Sequence, residues 1–256
     1  MPAILPGLTA LGVTPRRGQV TMIAAPPNGG KSLLALWYAM QAKVPTLYIS
    51  ADTDQTTTLV RSAAMLSGRT CADIEAQLNS EAAPLVEDLV LEADHIAFSF
   101  DPSPSLEDVE AEVTAIVEVW GDLDLIIIDN LMNVAGGSGE EWAVMRDLIR
   151  QFHHVARVTE AAVWVLHHTS ESEGKPDVPA ARRAIQGKVA QFPEQILTVA
   201  ARPTRGEIAV ACVKNRHGPH DPTGSTFATF PVDYDRMTIY NTLADKQRAD
   251  QWRSYQ

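Results

Sequence analysis

Cysteine is scarce in this chain: Cys71 and Cys212 are the only two in 256 residues. They stand far apart without metal-ligand spacing, which argues against a cysteine-held metal and for a reduced, cytoplasmic protein. Long apolar runs are also missing. No stretch of about 18 uncharged apolar residues occurs, so neither a membrane-spanning helix nor a membrane partner is expected. The first residues, Met1-Pro2-Ala3-Ile4-Leu5-Pro6, have neither the basic start nor the apolar stretch of a secretory signal. Internal repeats and low-complexity tracts are absent, which sets aside a solenoid.

The most informative absence is one of charge. Between Thr70 and Met145 there is no Lys or Arg, while that block carries 18 acidic residues. The net charge of −11 is therefore a block of −18 set against a remainder of +7. From Lys175 to Arg216 there are eight basic residues and three acidic ones. An acidic total argues against a protein coated in phosphate backbone, yet the uneven distribution leaves room for a local nucleic-acid contact.

What is present describes a globular α/β chain, 45% hydrophobic and 21% charged. Apolar runs predict strands at Gln19–Ala24, Thr46–Ser50, His95–Phe100, Leu125–Asp129, Ala162–His167, Gln195–Ala200, Glu207–Lys214 and Phe227–Val232. Amphipathic stretches predict helices at Lys31–Gln41, Gln55–Leu66, Ala72–Leu78, Leu106–Val119 and Glu140–Thr159. Strands rich in aliphatic residues that alternate with helices indicate a mostly parallel twisted sheet flanked by helices. The last strands follow in close succession and are expected to add antiparallel hairpins at one edge. One domain over residues 1–241 is expected, with a polar tail at 242–256 that forms a short helix or stays mobile. Two loops, Ala135–Glu140 and Thr169–Pro179, each follow a strand at the carboxyl edge, where open α/β sheets build their sites.

The strongest motif is Ala25-Pro26-Pro27-Asn28-Gly29-Gly30-Lys31-Ser32, which has P-loop spacing with Ala25 in place of the first glycine. Small residues let the backbone wrap a phosphate with its amides pointing inward, and the helix opening near Lys31 adds its positive end. Lys31 reaches the β and γ phosphates and the Ser32 hydroxyl holds Mg²⁺ in such a loop. A chance Gly/Pro turn is the competing reading, but a buried strand precedes the loop and an amphipathic run follows it. A second signal is Leu123–Asp129, an apolar strand that ends in an acid. In P-loop enzymes an acid so placed enters the magnesium shell from a neighbouring strand. ATP and Mg²⁺ are the expected cofactors.

Taken with the sequence near the C-terminus, these motifs resemble the RecA-like motor domain of DnaB-type replicative helicases. The loop from Ile23 to Ser32 is similar to that family's own, which also begins with alanine and has proline two positions on. Asp124–Asn130 followed by Leu131-Met132 is similar to its magnesium-binding strand. Val213-Lys214-Asn215-Arg216-His217-Gly218-Pro219, with Thr223-Gly224 after it, resembles its Lys-x-Arg-x-Gly-Pro segment. The matches run from about Gly18 to Tyr240, nearly the whole chain.

The resemblance implies a RecA-like P-loop core and a set of roles. Asp52, after Tyr48-Ile49-Ser50-Ala51, stands where the family has a glutamate that orients the attacking water. Its side chain is one methylene shorter, so a compensating shift or Asp54 is needed. Arg61, eleven residues after Ser50, has the spacing of an arginine that contacts the nucleotide; a solvated helix position is the alternative. His168 replaces a γ-phosphate sensor that is usually glutamine, as plasmid-type relatives also do, or it is a structural histidine. Lys214 and Arg216 resemble a trans-acting pair that reaches the γ-phosphate held by the next subunit, which implies a homo-oligomer, a ring or a filament, with a hexameric ring the expected form. Lys175, Arg182, Arg183 and Lys188 fall where the family has a central-channel loop for single-stranded DNA, which is held through its backbone. No stacking platform is evident there, although Phe192 is near. The loop begins at residue 25, too early for the collar domain of full replicative helicases, and suggests a stand-alone motor of phage or plasmid type.

Three other readings remain open on sequence: a RecA/RadA-like recombination or repair ATPase acting on branched DNA, a Mg²⁺-dependent nuclease using Asp52, Asp54 and Asp129, and a nucleotide-gated regulator that is not a motor.

Overall fold

A computed structural model describes residues 1–80, 86, 88, 91–135, 140–170 and 177–254, with Glu141 described by its backbone alone. The strands are β1 Val20–Ala25, β2 Thr46–Ser50, β3 Ile96–Ser99, β4 Leu125–Asp129, β5 Ala162–His168, β6 Gln195–Arg202, β7 Glu207–Asn215, β8 Phe227–Asp233 and β9 Thr238–Ile239. They form one nine-stranded sheet in the order β3-β2-β4-β5-β1-β6-β7-β8-β9. Pairing is parallel from β3 through β6 and antiparallel from β6 to β9. The mixed architecture expected from the sequence is thus the one observed.

The helices are α1 Pro6–Ala10, α2 Lys31–Ala42, α3 Gln55–Ser67, α4 Cys71–Leu78, α5 Leu106–Trp120, α6 Glu141–Thr159 and α7 Leu243–Arg253. Their ends follow local chemistry. Asp54 accepts from the Thr57 amide to open α3. Reciprocal capping pairs Thr70/Asp73, Ser105/Asp108 and Thr242/Asp245 open α4, α5 and α7. Helix α2 begins on Gly30 with no capping side chain, so its first amides stay open to a ligand.

Successive strand residues alternate between two cores. Ile23, Ala25, Ile127, Trp164 and Leu197 pack with α2, whereas Met22, Ala24, Ile126, Ile128 and Val165 pack with α6 and α5. A third, smaller cluster joins α3 to α4 through Val60, Ala63, Ala64 and Ile74. All five residues of β4 are buried, and each of its aliphatic side chains stabilises the fold by about 1.5–3 kcal/mol. That burial locks the register that carries Asp129 to the sheet edge.

The strands depart from the sequence reading mainly at their ends. Strand β6 runs on to Arg202 because a turn at Pro203–Arg205, closed by Gly206 at φ +60°, lets Arg202 pair with Glu207. Strand β5 gains His168, which pairs with Ala25. Helix α1 and strand β9 are too short for a periodic pattern and are held by packing: Gly7 lies against Phe230, and Thr238 pairs with Asp233. The tail, left open between helix and coil, contains α7. The acidic block places Glu107, Asp108, Glu110 and Glu118 on the exposed side of α5. No helix among the described residues is long and apolar enough to cross a membrane.

Candidate active site

The loop between β1 and α2 is shaped by residues that tolerate unusual backbone. Asn28 has φ +58° and Gly30 φ +91°. At Gly29 an added Cβ would lie 2.7 Å from the Ala25 Cβ and 2.8 Å from the Pro26 carbonyl oxygen. Only glycine fits a turn that tight. The loop opens on a cleft of about 690 Å³ lined by Pro27, Lys31, Asp52, Arg61 and His168 among others. Asn28, Gly29, Gly30 and Ser32 contribute to the same wall, while Ala25, at the end of β1, is buried behind the loop and does not line the cleft. Tyr234 and Met237 also line it and were not expected from the sequence; they come from the β8–β9 connection, which only the sheet order brings to the loop.

Strands β2, β4, β5 and β1 lie side by side, so their carboxyl ends present Asp52, Asp129, His168 and Lys31 in one row. Ser50 pairs with Asp129, and the Asp129 carbonyl accepts from the amides of Ala51 at 2.7 Å and Asp52 at 3.1 Å. Lys31 is buried, and its Nζ stands 4.0 Å from Oδ2 of Asp52, whose side chain is 44% exposed. Asp54 lines the same cleft, but its oxygens are engaged at the start of α3: they accept from the Thr57 hydroxyl at 2.7 Å and the Thr57 amide at 2.9 Å, which hold the carboxyl below its ordinary range. Asp52, one methylene short, is thus the acid beside the P-loop lysine. Arg61 lines the cleft from α3.

Asp129 is almost wholly buried. Tyr48 donates its hydroxyl to Oδ2 at 3.0 Å, and Oδ1 makes no hydrogen bond among the described residues. Burial raises its pKa, and the neighbouring Ser32 hydroxyl, Lys31 and Tyr48 offset part of that rise. A buried carboxylate oxygen without a donor, beside a serine hydroxyl, suits a hard divalent cation. His168 stands next in the row. The Asn130 amide lies 3.5 Å from its Nε2, turned that way because Asn130 Oδ1 accepts from the Met132 amide at 2.9 Å. Burial, then the Lys31 charge, lowers the pKa of His168 and favours the neutral ring.

The other expected site residues lie away from this cleft. Lys214 pairs with β6 at Ile196, which is level with Met22, and the Arg216 amide donates to the Glu194 carbonyl just before β6. Both residues are therefore toward the amino edge of β1, opposite the P-loop. Lys214 Nζ donates to the carbonyls of Ala190 at 3.1 Å and Gln191 at 2.7 Å. Burial, reinforced by the charges of Arg182 and Arg216, lowers its pKa to about 8. Nearby, Arg182, Arg183 and Lys188 line a second cleft of about 670 Å³ with Gln191, Pro222 and Thr223. Lys175 lies outside the described residues, as do parts of both expected loops. Arg202, counted in the basic stretch, is buried and bonded to the Asp177 carbonyl and to Glu207. Phe192 packs under the Arg150 guanidinium at 5.1 Å. Among the described residues no three His, Cys, Asp or Glu side chains gather as a metal-holding group, so the carboxylate cluster of the nuclease reading is not formed there.

Comparison with known proteins agrees with this geometry. A family model described as an AAA domain matches residues 12–174. The gene 65 protein of Mycobacterium phage L5 is 35% identical over 250 residues, 93% of this chain and 92% of that protein. The gene 65 protein of Mycobacterium phage D29 is 32% identical over 86% of this chain and 98% of its own length. Among solved structures, one ATPase domain superposes with a TM-score of 0.81 at 15% identity, over 94% of this chain and 90% of that one. A DnaB-like replicative helicase, studied with its primase interactions, gives the same TM-score and identity over 94% of this chain and 63% of its own. The chain is a P-loop ATPase of RecA-like fold that belongs to the AAA domain family, with phage gene 65 proteins among its relatives.

Proposed function

We propose that this protein is an ATP-driven DNA motor of DnaB type. It works as a homo-oligomeric, hexameric ring that passes single-stranded DNA through its centre, in the cytoplasm of a phage-infected or plasmid-bearing cell. Residues 1–241 form the motor domain and 242–256 its tail. The loop from Ala25 through Ser32, its turn shaped by Pro27, Asn28, Gly29 and Gly30, holds the phosphates together with Lys31; Arg61 contacts the nucleotide. Ser32 and Asp129 hold Mg²⁺, which when bound draws charge from the phosphates. Asp52 orients the attacking water, and His168 answers to the γ-phosphate. Arg182, Arg183, Lys188 and Lys175 contact the DNA backbone.

One observation carries this reading. Lys31 and the Lys214–Arg216 pair occupy opposite edges of the same sheet. Along β1, with strands rising about 3.3 Å per residue, Lys214 is level with Met22, about 10 Å before Ala25, and Arg216 is beside Glu194 near Val20, about 17 Å before it. Two cations at that remove do not serve their own chain's nucleotide but are available to a neighbour's. A head-to-tail interface that repeats this relation makes a ring where its rotation closes and a filament where it does not, and the ring is the form proposed. An arginine supplied across such an interface raises phosphoryl-transfer rates by about 10³-fold or more.

The test is steady-state ATP hydrolysis with and without single-stranded DNA over a range of protein concentrations. The expected result is a rate that rises with both and disappears in Lys31→Ala. A rate indifferent to DNA and to concentration overturns the motor and the ring together. Stimulation by branched DNA alone would favour the recombination reading.

A further inference from the structure

Glu194 is a carboxylate the proposed chemistry does not use. It sits just before β6, and its side chain is only 8% exposed. Oε2 accepts from the Val20 amide at 3.1 Å and faces Nδ1 of His153 at 3.2 Å. Oε1 meets the Arg216 guanidinium at 3.3 Å. Its backbone is engaged too: its amide donates to the Val20 carbonyl at 3.0 Å and its carbonyl accepts from the Arg216 amide at 2.9 Å. His153, on α6, is held on its other side by the Phe192 carbonyl, 3.2 Å from Nε2.

A carboxylate removed from water is costly unless it is fully paired. Here the pairing joins four segments: the start of β1, α6, the start of β6 and the residue after β7. The one partner that faces outward is Arg216, whose side chain is 53% exposed. Glu194 takes one terminal nitrogen of its guanidinium, and the planar fork has further donors for a second anion. An exposed arginine without such an anchor samples many rotamers and gives up that freedom each time it reaches a phosphate.

We propose that Glu194, itself oriented by His153, is a positioning residue: it holds Arg216 in the pose from which that arginine reaches the nucleotide of the next subunit. The inference rests on the trans-acting reading above, and the experiment separates the failure of one from the failure of the other.

Full-length Arg216→Ala, Glu194→Gln and His153→Gln are assayed for DNA-stimulated ATP hydrolysis alone and mixed with equal Lys31→Ala protein. Glu194→Gln is expected to lose about a hundred-fold in rate, the scale of a misplaced catalytic group. In the mixture, interfaces that join its intact P-loop to an intact Arg216 from Lys31→Ala make up about a quarter of the total in a randomly assembled ring. Activity should recover toward that fraction, as it should for Arg216→Ala. His153→Gln, which keeps the carboxylate, should show a smaller loss with the same recovery, and Glu194→Gln should add no further loss to Arg216→Ala. Wild-type rates in Glu194→Gln and His153→Gln would overturn the proposal. So would losses in both that mixing does not repair while Arg216→Ala is repaired, because the carboxylate would then serve only the fold. If Arg216→Ala itself is not repaired, trans action fails, and the positioning role fails with it.

Discussion

Tyr48 donates its hydroxyl to Oδ2 of Asp129 at 3.0 Å, and the other carboxylate oxygen has no donor among the described residues. The tyrosine sits on β2 and the acid on β4, neighbours in the sheet, so the bond fixes the carboxylate's rotation at the mouth of the P-loop. If Oδ1 serves Mg²⁺ with Ser32, Tyr48 is its outer support. Removing such a partner typically costs about 10–100-fold in metal affinity. Tyr48→Phe is therefore expected to raise the Mg²⁺ concentration for half-maximal ATPase by about tenfold or more. A Mg²⁺ titration unchanged from wild type would contradict it.

Asp52 and Asp54 separate cleanly by geometry. Asp52 stands 4.0 Å from the Lys31 ammonium, whereas Asp54 caps α3. Asp52→Asn should cut ATP turnover by about 10²-fold or more, the range of a lost general base, with little change in melting temperature. Asp54→Ala should do the reverse, costing about 1 kcal/mol of stability as a lost N-cap does while most turnover remains. Parallel thermal melts and ATPase assays decide it.

Lys214 is expected to set an alkaline limit on turnover. Burial lowers its pKa from the ordinary 10.5 to about 8, so its charge is full below that pH and disappears as pH rises through it. If the charge acts on the neighbouring nucleotide, kcat/KM for ATP should decline above about pH 8. Arginine remains protonated throughout this range. Lys214→Arg should therefore carry the plateau to higher pH, and an unchanged alkaline limb would assign that limb to another group.

His167 is fully buried, with Nε2 3.1 Å from the Gln186 carbonyl, and burial pushes its pKa from 6.5 down to about 4. The folded chain keeps the ring neutral, whereas the unfolded chain takes up a proton below about pH 6.5. Stability is thus complete above that pH and falls as pH drops toward 4, by up to about 3 kcal/mol for this one group. His95, His153 and His168 are also lowered, so the informative quantity is the difference between wild type and His167→Gln. Denaturant melts at pH 7 and pH 5 should differ less in the variant; equal differences would contradict the assignment.

Much of this was legible before the fold. Strands β2 and β4 fall at the residues their apolar runs predict, because both are buried on both faces and their sequences are mostly aliphatic or aromatic. The P-loop reads directly, since Asn28, Gly29 and Gly30 occupy the places where the backbone needs positive φ or has no room for a Cβ. Tyr234 and Met237 were not legible as cleft residues, because nothing near them in sequence indicates that β8 and β9 close the far side. Glu194 was equally silent: a single acid before a strand has no motif, and its meaning comes from Val20, His153 and Arg216 meeting around it.

The amino-acid sequence by itself determined the strand-helix alternation, the phosphate loop and the acid that ends β4. These depend on local periodicity and on the steric demands of single residues, which are written in neighbouring positions. The tertiary structure decided which acid faces Lys31, where the unpaired oxygen of Asp129 lies, and that Lys214 and Arg216 stand across the sheet from their own P-loop. Those relations depend on strand order and register, which bring together residues 79 positions apart across β2 and β4 and 174 apart across β1 and β6. Only the packed sheet, with each buried polar group seeking a partner, determines them.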